Sequence, residues 1–291
     1  MTSLDASELI LNEDGSIYHL NLFPEDLAPT VITVGDPDRV AEVSKHFATI
    51  ETKKGKREFI THTGWYDMQR ISVISTGIGT DNIDIVLNEL DALVNIDFKT
   101  RREKINKTSL NIIRIGTTGS IQKEIKVDSI LASQYAIGLD GLLHYYQSES
   151  VQEADMQEAF IDQIHWPSTH PKPYIIAADQ GLVQAFQEDH LHLGTTATNV
   201  GFYGPQSRVL RLPLSNAKLV DSLSTFHYKN QRITNLEMES SAIYGLSKLL
   251  GHKAISLNSI VANRINGTVT QDPKLAMERL IVFALDKISK I

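Results

Sequence analysis

Two glutamates lie at the point where the chain enters an apolar, helix-like run. They flank a methionine as Glu237-Met238-Glu239, at the start of a helix predicted over 238–250. A buried carboxylate is costly unless a cation or a hydrogen-bond donor pairs with it. One interpretation is an acidic first turn, which the helix dipole favours. The other is that these carboxylates accept hydrogen bonds from a polar ligand.

An arginine lies inside a second apolar segment. Arg114 falls within the strand-like run 111–115, and two threonines and two glycines follow it in the sequence IIRIGTTG. An internal strand rarely carries arginine unless the side chain is paired. A salt bridge would explain Arg114. A phosphate held by Arg114 and Thr117 would explain it equally, because guanidinium matches phosphate oxygens in bidentate geometry.

Two glycine-containing turns also follow strand-like runs. In VITVGDPDR, Asp36 can cap a helix with Pro37 at its first position, and Arg39 lies one turn further in. In STGIGTDN, Gly77 and Gly79 are present but the third glycine of a dinucleotide fingerprint is not, which disfavours a nicotinamide-dependent oxidoreductase. A glycine turn before a helix still offers free backbone N–H groups to an anion.

Strand-like and helix-like segments alternate along the chain. Predicted strands cover 31–34, 71–75, 111–115, 173–178 and 253–262, and predicted helices cover 179–189, 238–250 and about 273–290. This alternation predicts an α/β fold on a central sheet, with ligands bound where strand ends meet loops. We predict a single domain over 1–291, with Gly251 as a helix cap. Residues 97–109 are expected to be a solvated basic loop, and 144–173 a long excursion over the surface.

The composition excludes several classes of function. A net charge of -7 over 291 residues disfavours a general nucleic-acid binder. Without cysteine there are no disulfides, thiolate zinc sites or cysteine nucleophiles, which is compatible with a reducing compartment, and we expect a cytoplasmic protein. The acidic N-terminus lacks the apolar core of a signal peptide, and no apolar run is long enough to span a membrane.

Taken together and in order, these motifs resemble the nucleoside phosphorylase superfamily, and most closely its uridine phosphorylase branch. The resemblance runs from about residue 18 to residue 264, through the segments VGDPDRV, KREF, STGIG, IIRIGTTGSIQ, GFYGPQSR, NLEMES and IVANR. It implies a three-layer α/β/α fold with a central mixed, partly barrel-like sheet. It also implies phosphorolysis, in which inorganic phosphate attacks the ribose anomeric carbon of uridine and gives ribose 1-phosphate and uracil.

The resemblance assigns three neighbouring subsites. The phosphate would be held by Gly35, Arg39, Arg114 and Thr117, with Arg57 reaching in from a neighbouring subunit. The ribose would contact Glu237, Met238 and Glu239, with His19 of the neighbour on the 5′-hydroxyl. The base would lie near Thr118, Gly119, Phe202, Gln206, Arg208 and Arg264. Of these residues, Arg114, Glu239 and Arg208 are the expected catalytic ones.

The segment FYGPQSR bears on the choice of base. Glutamine supplies a donor and an acceptor and arginine supplies donors, which together complement one edge of a pyrimidine. Purine-specific relatives use an aspartate near the position of Ala262-Asn263, so its absence favours a pyrimidine. The small Val261 and Ala262 leave room for a 5-substituted base such as thymine. A purine or broad-specificity phosphorylase, and a nucleosidase on the same fold, are the alternatives.

The expected partners are small molecules and a second copy of the chain. The resemblance implies inorganic phosphate as co-substrate, no required cofactor, no nucleic acid or membrane partner, and at least a homodimer with shared active sites. Bacterial relatives can hold potassium between subunits. Glu58 and Ile78 match that site, but Asn82 replaces a serine, which disfavours the ion. A binding protein that has lost its chemistry is disfavoured because every matched site position is occupied.

Overall fold

The computed structural model describes residues 3–291, and a mixed twelve-stranded sheet forms its centre. Strands cover Thr30–Val34 (β1), Thr49–Lys56 (β2), Phe59–Tyr66 (β3), Gln69–Ser75 (β4), Ile96–Asp97 (β5), Arg102–Glu103 (β6), Asn111–Ser120 (β7), Ile130–Gly138 (β8), Tyr174–Ala177 (β9), His192–Thr198 (β10), His227–Tyr228 (β11), Gln231–Glu237 (β12), Lys253–Asn263 (β13) and Thr268–Val269 (β14). Helices cover Pro37–Ser44 (α1), Thr80–Asn95 (α2), Ala154–Ile164 (α3), Gln180–Phe186 (α4), Leu219–Thr225 (α5), Ser240–Leu250 (α6) and Pro273–Ile288 (α7).

Part of the sheet closes into a five-stranded barrel. The strand order is β11-β12-β10-β8-β13-β7-β1-β4-β3-β2, and β7 also pairs with β12. That extra pairing joins Gly119 and Ser120 to Leu236 and Asn235, which completes the ring β7-β12-β10-β8-β13. Along its whole length β7 pairs in parallel with β13, and its first half also pairs in parallel with β1. The predicted mixed, partly barrel-like sheet is therefore confirmed.

Helices cover the sheet in two groups. In one group α2 packs against α6, which also contacts β8 and β13. In the other, α4 contacts α7, which packs on β7 and β13, and Lys45 at the end of α1 pairs with Glu278 of α7. The resulting core contains fully buried Val, Ile and Leu side chains from the parallel strands, packed against apolar side chains of the helices, as sheets covered on both faces require. The fold is the predicted three-layer α/β/α arrangement.

Two predicted caps are present. The side chain of Asp36 accepts a hydrogen bond from the Asp38 N–H at 3.0 Å, and Pro37 occupies the first position of α1. Gly251 ends α6 with φ of 80°, a left-handed conformation that favours glycine. Both capped helices lie beside the cavity described below. Local sequence signals therefore set where α1 begins and where α6 ends.

The surface excursion predicted for 144–173 is wrong in its central part. Residues 154–164 form α3, whose Met156, Phe160 and Ile164 are buried in a second core cluster. Phe160 packs edge-on against Phe226 with ring centroids 5.4 Å apart. The three apolar residues recur every four positions, which is a helical spacing, but polar and proline-rich flanks obscured it in the sequence.

The solvated loop predicted for 97–109 is also only partly correct. The short strands β5 and β6 pair within it, and the backbone carbonyls of Leu4 and Asp5 each accept a hydrogen bond from the Arg101 guanidinium at 2.8 Å. The basic residues of this segment therefore include one that fastens the N-terminal segment to the domain. No helix within residues 3–291 is long and apolar enough to cross a membrane.

Candidate active site

A cavity of 760 Å³ opens at the carboxyl ends of parallel strands β1, β4 and β7, beside the start of α6. Strand ends at such an edge are the usual position for a ligand in an open α/β sheet. The predicted site residues that line it are Gly35, Arg39, Arg114, Thr117, Thr118, Gly119, Phe202, Gln206, Arg208, Glu237, Met238 and Glu239. Three predicted residues, His19, Arg57 and Arg264, are not part of this lining.

Arg114 lies on the floor of the cavity as one end of a buried ion pair. Its Nη2 lies 2.5 Å from Glu239 Oε2, and its Nη1 donates to Asn258 Oδ1 at 2.8 Å. Burial lowers the pKa of Arg114, but the carboxylates of Glu239 and Glu237 outweigh burial and raise the pKa overall, so the guanidinium is charged. The salt bridge anticipated for Arg114 therefore exists, and it lies inside the cavity rather than in a closed core.

Gly116 makes this position of the guanidinium possible. A Cβ atom added to Gly116 would lie 2.1 Å from Arg114 Nη1 and 2.6 Å from its Cζ, far inside van der Waals contact. The side chain of Arg114 thus folds along its own strand, across the bare backbone of Gly116. Because Asn258 and Glu239 hold the guanidinium at both ends, it has little freedom to move aside.

Glu239 is oriented by a glycine turn as well as by Arg114. Its Oε1 accepts a hydrogen bond from the Gly79 backbone N–H at 3.0 Å. Gly79 has φ of 100°, which side chains with a Cβ rarely adopt, so the turn that presents this N–H needs glycine. The carboxylate is 6% exposed and faces the cavity. Glu237 is a second glutamate close enough to compete for the Arg114 guanidinium.

Glu237 Oε2 also lies 3.4 Å from Arg114 Nη2, but its hydrogen-bond partners are different from those of Glu239. One carboxylate oxygen accepts from the Thr198 hydroxyl at 2.6 Å, and the other accepts from the backbone N–H groups of Glu239 and Ser240 at 2.8 Å each. Burial raises the pKa of Glu237, against the lowering effect of Arg114. Glu237 therefore holds the N-terminus of α6, as the helix-dipole interpretation anticipated, and a direct contact with ribose stays a prediction.

Arg39 enters the cavity from the first turn of α1. Its backbone N–H bonds to the carbonyl of Asp36, so the cap sets where the side chain begins. Burial is the main cause that lowers the pKa of Arg39; Asp36 and Glu42 act against it, and the charge of Arg114 adds a smaller lowering effect. Its Nε is buried and has no hydrogen-bond partner within residues 3–291. The positive charges of Arg39 and Arg114 repel each other within the cavity. An anion bound between them would offset this repulsion.

The opposite end of the cavity is formed by the segment 202–208. The Arg208 guanidinium stacks on the Phe202 ring, with its Cζ 3.8 Å from the centroid, and donates to Gln206 Oε1 at 2.5 Å. Arg264 donates to the backbone carbonyl of Gln206. Burial lowers the pKa of Arg208, and so does the nearby charge of Arg264. Arg264 thus supports Gln206 from behind rather than lining the cavity itself.

The remaining predicted residues differ in whether their polar groups are already hydrogen-bonded within the protein. The Thr118 hydroxyl donates to the Leu236 carbonyl at 2.6 Å and accepts from Asn235, so the protein already uses it. Thr117 and Met238 are only partly buried and face the cavity. Direct contacts of these residues with a base, ribose or phosphate stay predictions.

His19 and Arg57 do not line this cavity, although Glu58, the residue after Arg57, does. His19 Nδ1 lies 2.6 Å from Glu89 Oε1, and the backbone N–H of His19 bonds to the same carboxylate. Arg57 is exposed at the turn between β2 and β3, with φ of 56°. Their assignment to a second subunit stays a prediction.

The sequence reasoning missed the residues that hold Arg114 from the adjacent strand. Ser256 of β13 pairs in register with Arg114, and Asn258 follows two residues later on the same face. The polar alternation in KAISLNSIVA was the available signal, since an otherwise apolar strand rarely places two polar groups on one buried face without a partner. Which charged group they meet is set by strand pairing, which the sequence does not reveal.

The described residues hold no group of three or more histidine or acidic side chains suited to a metal ion. Of the positions matched to a potassium site, Glu58, Ile78 and Asn82 all line the cavity, and Ile78 is 67% exposed. That Asn82 disfavours a potassium ion here stays a prediction.

Comparisons with known proteins agree with this geometry. The family model described as the phosphorylase superfamily matches residues 29–285. The uridine phosphorylase of Thermococcus kodakarensis is 30% identical over 257 residues, covering 87% of this chain and 79% of that protein. A DeoD-type purine nucleoside phosphorylase of Oceanobacillus iheyensis is 26% identical over 277 residues, covering 94% and 99%.

A solved structure extends the match over the whole fold. The Trypanosoma brucei nucleoside phosphorylase, described as showing uridine phosphorylase activity, superposes with a TM-score of 0.88 at 28% identity, covering 97% of this chain and 100% of that one. With the closed barrel, the paired Arg114 and Glu239 and the family match in agreement, the chain belongs to the phosphorylase superfamily, as a pentosyl-transferring enzyme of the nucleoside phosphorylase type.

Proposed function

We propose that this enzyme catalyses the reversible phosphorolysis of pyrimidine nucleosides, with uridine and phosphate giving uracil and ribose 1-phosphate in nucleoside salvage. The observation that carries the proposal is one cavity with two arginines at one end and a Gln206–Arg208 pair at the other. The first pair suits an anion, and the second suits the carbonyl edge of a uracil ring. A ribose between them would lie against Glu239.

The phosphate subsite is built from Arg39, Arg114, Gly35 and Thr117. A guanidinium has five N–H donors, and Arg114 uses some of them on Asn258 and Glu239, which leaves others for phosphate oxygens. The unpartnered Nε of Arg39, within the described chain, adds a further donor. Phosphate binding would offset the mutual repulsion of the two arginines, so the site is matched to a doubly charged anion.

The chemistry follows from the order of charges along the cavity. As the glycosidic bond breaks, positive charge develops on the ribose, and the Glu239 carboxylate stabilises it. Negative charge develops on the departing base, and Arg208 stabilises that. Bound phosphate then forms the new bond at the anomeric carbon. The short Arg114–Glu239 contact orients the carboxylate between anion and sugar.

Asn263 supports a pyrimidine over a purine. Its Nδ2 donates to the carbonyls of Gln122 and Ile125, and its Oδ1 accepts from the N–H groups of Ile265 and Asn266. The side chain is therefore occupied in shaping its own loop and is 1% exposed. The small Ala262 beside it lines the cavity without a polar group for a purine ring nitrogen.

A purine or broad-specificity phosphorylase is the second candidate, favoured by the similarity to DeoD-type purine nucleoside phosphorylases. The two candidates are separated by phosphate-dependent turnover of uridine, thymidine, deoxyuridine, cytidine, inosine and adenosine. We expect uridine to be cleaved with ribose 1-phosphate as product. Faster turnover of inosine or adenosine than of any pyrimidine nucleoside would overturn the pyrimidine proposal.

A nucleosidase would use water in place of phosphate and would have no use for two arginines at the anion end. The same assay in phosphate-free buffer tests this. Free ribose released at an equal rate without phosphate would refute phosphorolysis.

We also propose that the complete site is shared between two subunits of a homodimer. The exposed position of Arg57 at the tip of the β2–β3 hairpin supports this, because the side chain is open to solvent and does not line the cavity of its own chain. His19 lies beside Phe59 at the start of the next strand, so the two residues share one region of the surface. A neighbouring subunit's hairpin would bring a further cation to the phosphate.

A further inference from the structure

A second cavity, of 660 Å³, lies on the other side of the segment 202–208. Phe202 and Gln206 line the first cavity, Tyr203 and Pro205 line the second, and Arg208 lines both. One stretch of chain therefore forms a thin wall between the two spaces. The volume falls within the range of about 300–1,000 Å³ that is typical of small-molecule sites.

The walls of this second cavity are mainly apolar. Trp166 forms one side, and the exposed segment 208–216 forms another, with Leu210 and Leu212 exposed by 76% and 72%. The indole Nε1 of Trp166 donates to the Pro171 carbonyl at 2.9 Å, which fixes the ring. A rigid aromatic face opposite branched aliphatic side chains favours a flat apolar partner.

The charged residues that line the cavity are all cationic, and one of its buried hydrogen-bond acceptors is unpaired. Arg208 and Arg211 line it, and among its lining residues in the described chain there is neither aspartate nor glutamate. Asn199 is 1% exposed at the cavity's inner end, and its Nδ2 donates to the Ala197 carbonyl. Its Oδ1 is buried and has no hydrogen-bond partner within residues 3–291. An unpaired buried acceptor is unusual and indicates a missing donor.

We propose that this cavity is a binding site for a flat, largely apolar organic anion, separate from the nucleoside and phosphate subsites. The anionic group would lie near Arg211 and Arg208 at the open side, and the ring system would lie between Trp166 and Leu212. A hydroxyl or amine of the ligand would donate to Asn199 Oδ1. The positive charge without a compensating acid in the lining is what selects an anion over a neutral ligand.

A ligand bound in this second cavity would also affect the base subsite, through Arg208. Arg208 cannot bind an anion on one side of the wall and keep its geometry toward Gln206 and Phe202 unchanged on the other, because one guanidinium serves both. This coupling rests on the proposed function, whereas binding itself does not. A ligand in the second cavity is therefore expected to change the KM for uridine with little effect on the KM for phosphate.

Binding is tested with 8-anilinonaphthalene-1-sulfonate as the probe and its uncharged parent, N-phenyl-1-naphthylamine, as the charge control. The chain has two tryptophans, so Trp65→Phe leaves Trp166 as the sole donor for energy transfer to the probe. We expect saturable binding of the sulfonate with transfer from Trp166, and weaker binding of the neutral compound. Saturable binding without energy transfer from Trp166 would place the probe elsewhere and overturn the site.

Variants locate the probe independently. Leu212→Asp puts an acid on the cavity wall and is expected to weaken sulfonate binding roughly tenfold or more through charge repulsion. Val209→Asp is the matched control, since Val209 is 60% exposed in the same segment but does not line the cavity. Arg211→Gln, compared with exposed Arg102→Gln, tests the charge. Equal binding by Leu212→Asp and Val209→Asp overturns the site, and no effect of Arg211→Gln overturns the preference for an anion.

The coupling is measured on the active enzyme by titrating the same probe into uridine and phosphate kinetics. A changed KM for uridine in the wild type that is lost in Leu212→Asp supports it. An unchanged KM at saturating probe refutes the coupling while leaving the binding result intact. Absence of phosphorolysis altogether would count against the proposed function and not against the second site, because binding is read by fluorescence.

Discussion

Replacing Gly116 with alanine should disable the phosphate end of the site by displacing Arg114 while leaving the Arg114 side chain itself in place in the sequence. The added Cβ would lie 2.1 Å from Arg114 Nη1 and 2.8 Å from Nη2, so the guanidinium must move. It cannot move freely, because Asn258 and Glu239 hold it at 2.8 and 2.5 Å. The variant therefore loses at least one charge-assisted hydrogen bond of Arg114 and displaces the donors that phosphate needs.

The size of the effect follows from those contacts. A hydrogen bond to a charged group contributes about 1.5–3 kcal/mol, so kcat/KM for phosphate should fall roughly 10- to 150-fold. The backbone of Gly116 is not in the left-handed region, so the loss is steric rather than conformational. Gly119→Ala is the matched control in the same strand, because its Cβ would meet nothing closer than 3.7 Å, and it should keep the KM for phosphate.

The assay is steady-state phosphorolysis of uridine at varied phosphate, with thermal unfolding to show that the fold is retained. A double-mutant cycle with Arg114→Ala makes the test specific. If Gly116→Ala acts through the guanidinium, it should add almost nothing once Arg114 is gone. Wild-type kcat/KM for phosphate in Gly116→Ala, or full additivity in the cycle, would refute the reasoning.

Three further predictions concern the base, the assembly and the stability of the protein. Arg208→Ala should lower kcat/KM for uridine roughly 30- to 1000-fold and leave the KM for phosphate within about twofold, since a charged donor to the departing base is lost; wild-type rates would remove Arg208 from the base subsite. Inactive Arg57→Ala and Glu239→Ala proteins, dissociated, mixed and reassociated, should recover activity approaching about a quarter of wild type if dimers pair randomly and share sites. Mixed dimers without recovered activity would mean that Arg57 serves its own subunit. The hydrogen bond from Lys45 holds the pKa of Glu278 below its ordinary value of 4.5, so Glu278→Gln should cost at most about 1 kcal/mol at neutral pH. Because a depressed carboxyl pKa stabilises the fold only while the group is ionised, chemical denaturation should show that difference vanishing as the pH falls through that pKa, and a constant difference would contradict the assignment.

Local patterns in the sequence were sufficient for the elements that surround the site. Asp36-Pro37 at the start of α1 and Gly251 at the end of α6 act through their nearest neighbours, so the sequence predicts them directly. The strand–glycine–helix succession likewise predicted where the cavity opens. Such signals span a few residues, and the hydrogen bonds they describe close within the same stretch of chain.

The resemblance supplied the site residues but not their partners. Twelve of the predicted positions line one cavity, while Arg264 lies behind it and His19 and Arg57 do not line it. Motifs shared with a family identify which residues form one site, because those residues carry the family's chemistry. They do not state which oxygen or nitrogen each side chain bonds to, because that depends on the distance between elements far apart in the chain.

The tertiary structure alone decided how the two glutamates divide their roles. Glu237 caps α6 and bonds to Thr198, while Glu239 pairs with Arg114 and with the Gly79 N–H. Both acids sit in one short motif, and their separation depends on β7, β10 and the turn after β4 arriving together. The sequence determined that two carboxylates would enter the core beside an arginine. Only the packing of strands distant in the chain determined that Glu239 makes the short contact with Arg114 while Glu237, 3.4 Å from the same nitrogen, caps α6. Burial requires each charge to be paired, and the fold supplies those partners at fixed positions.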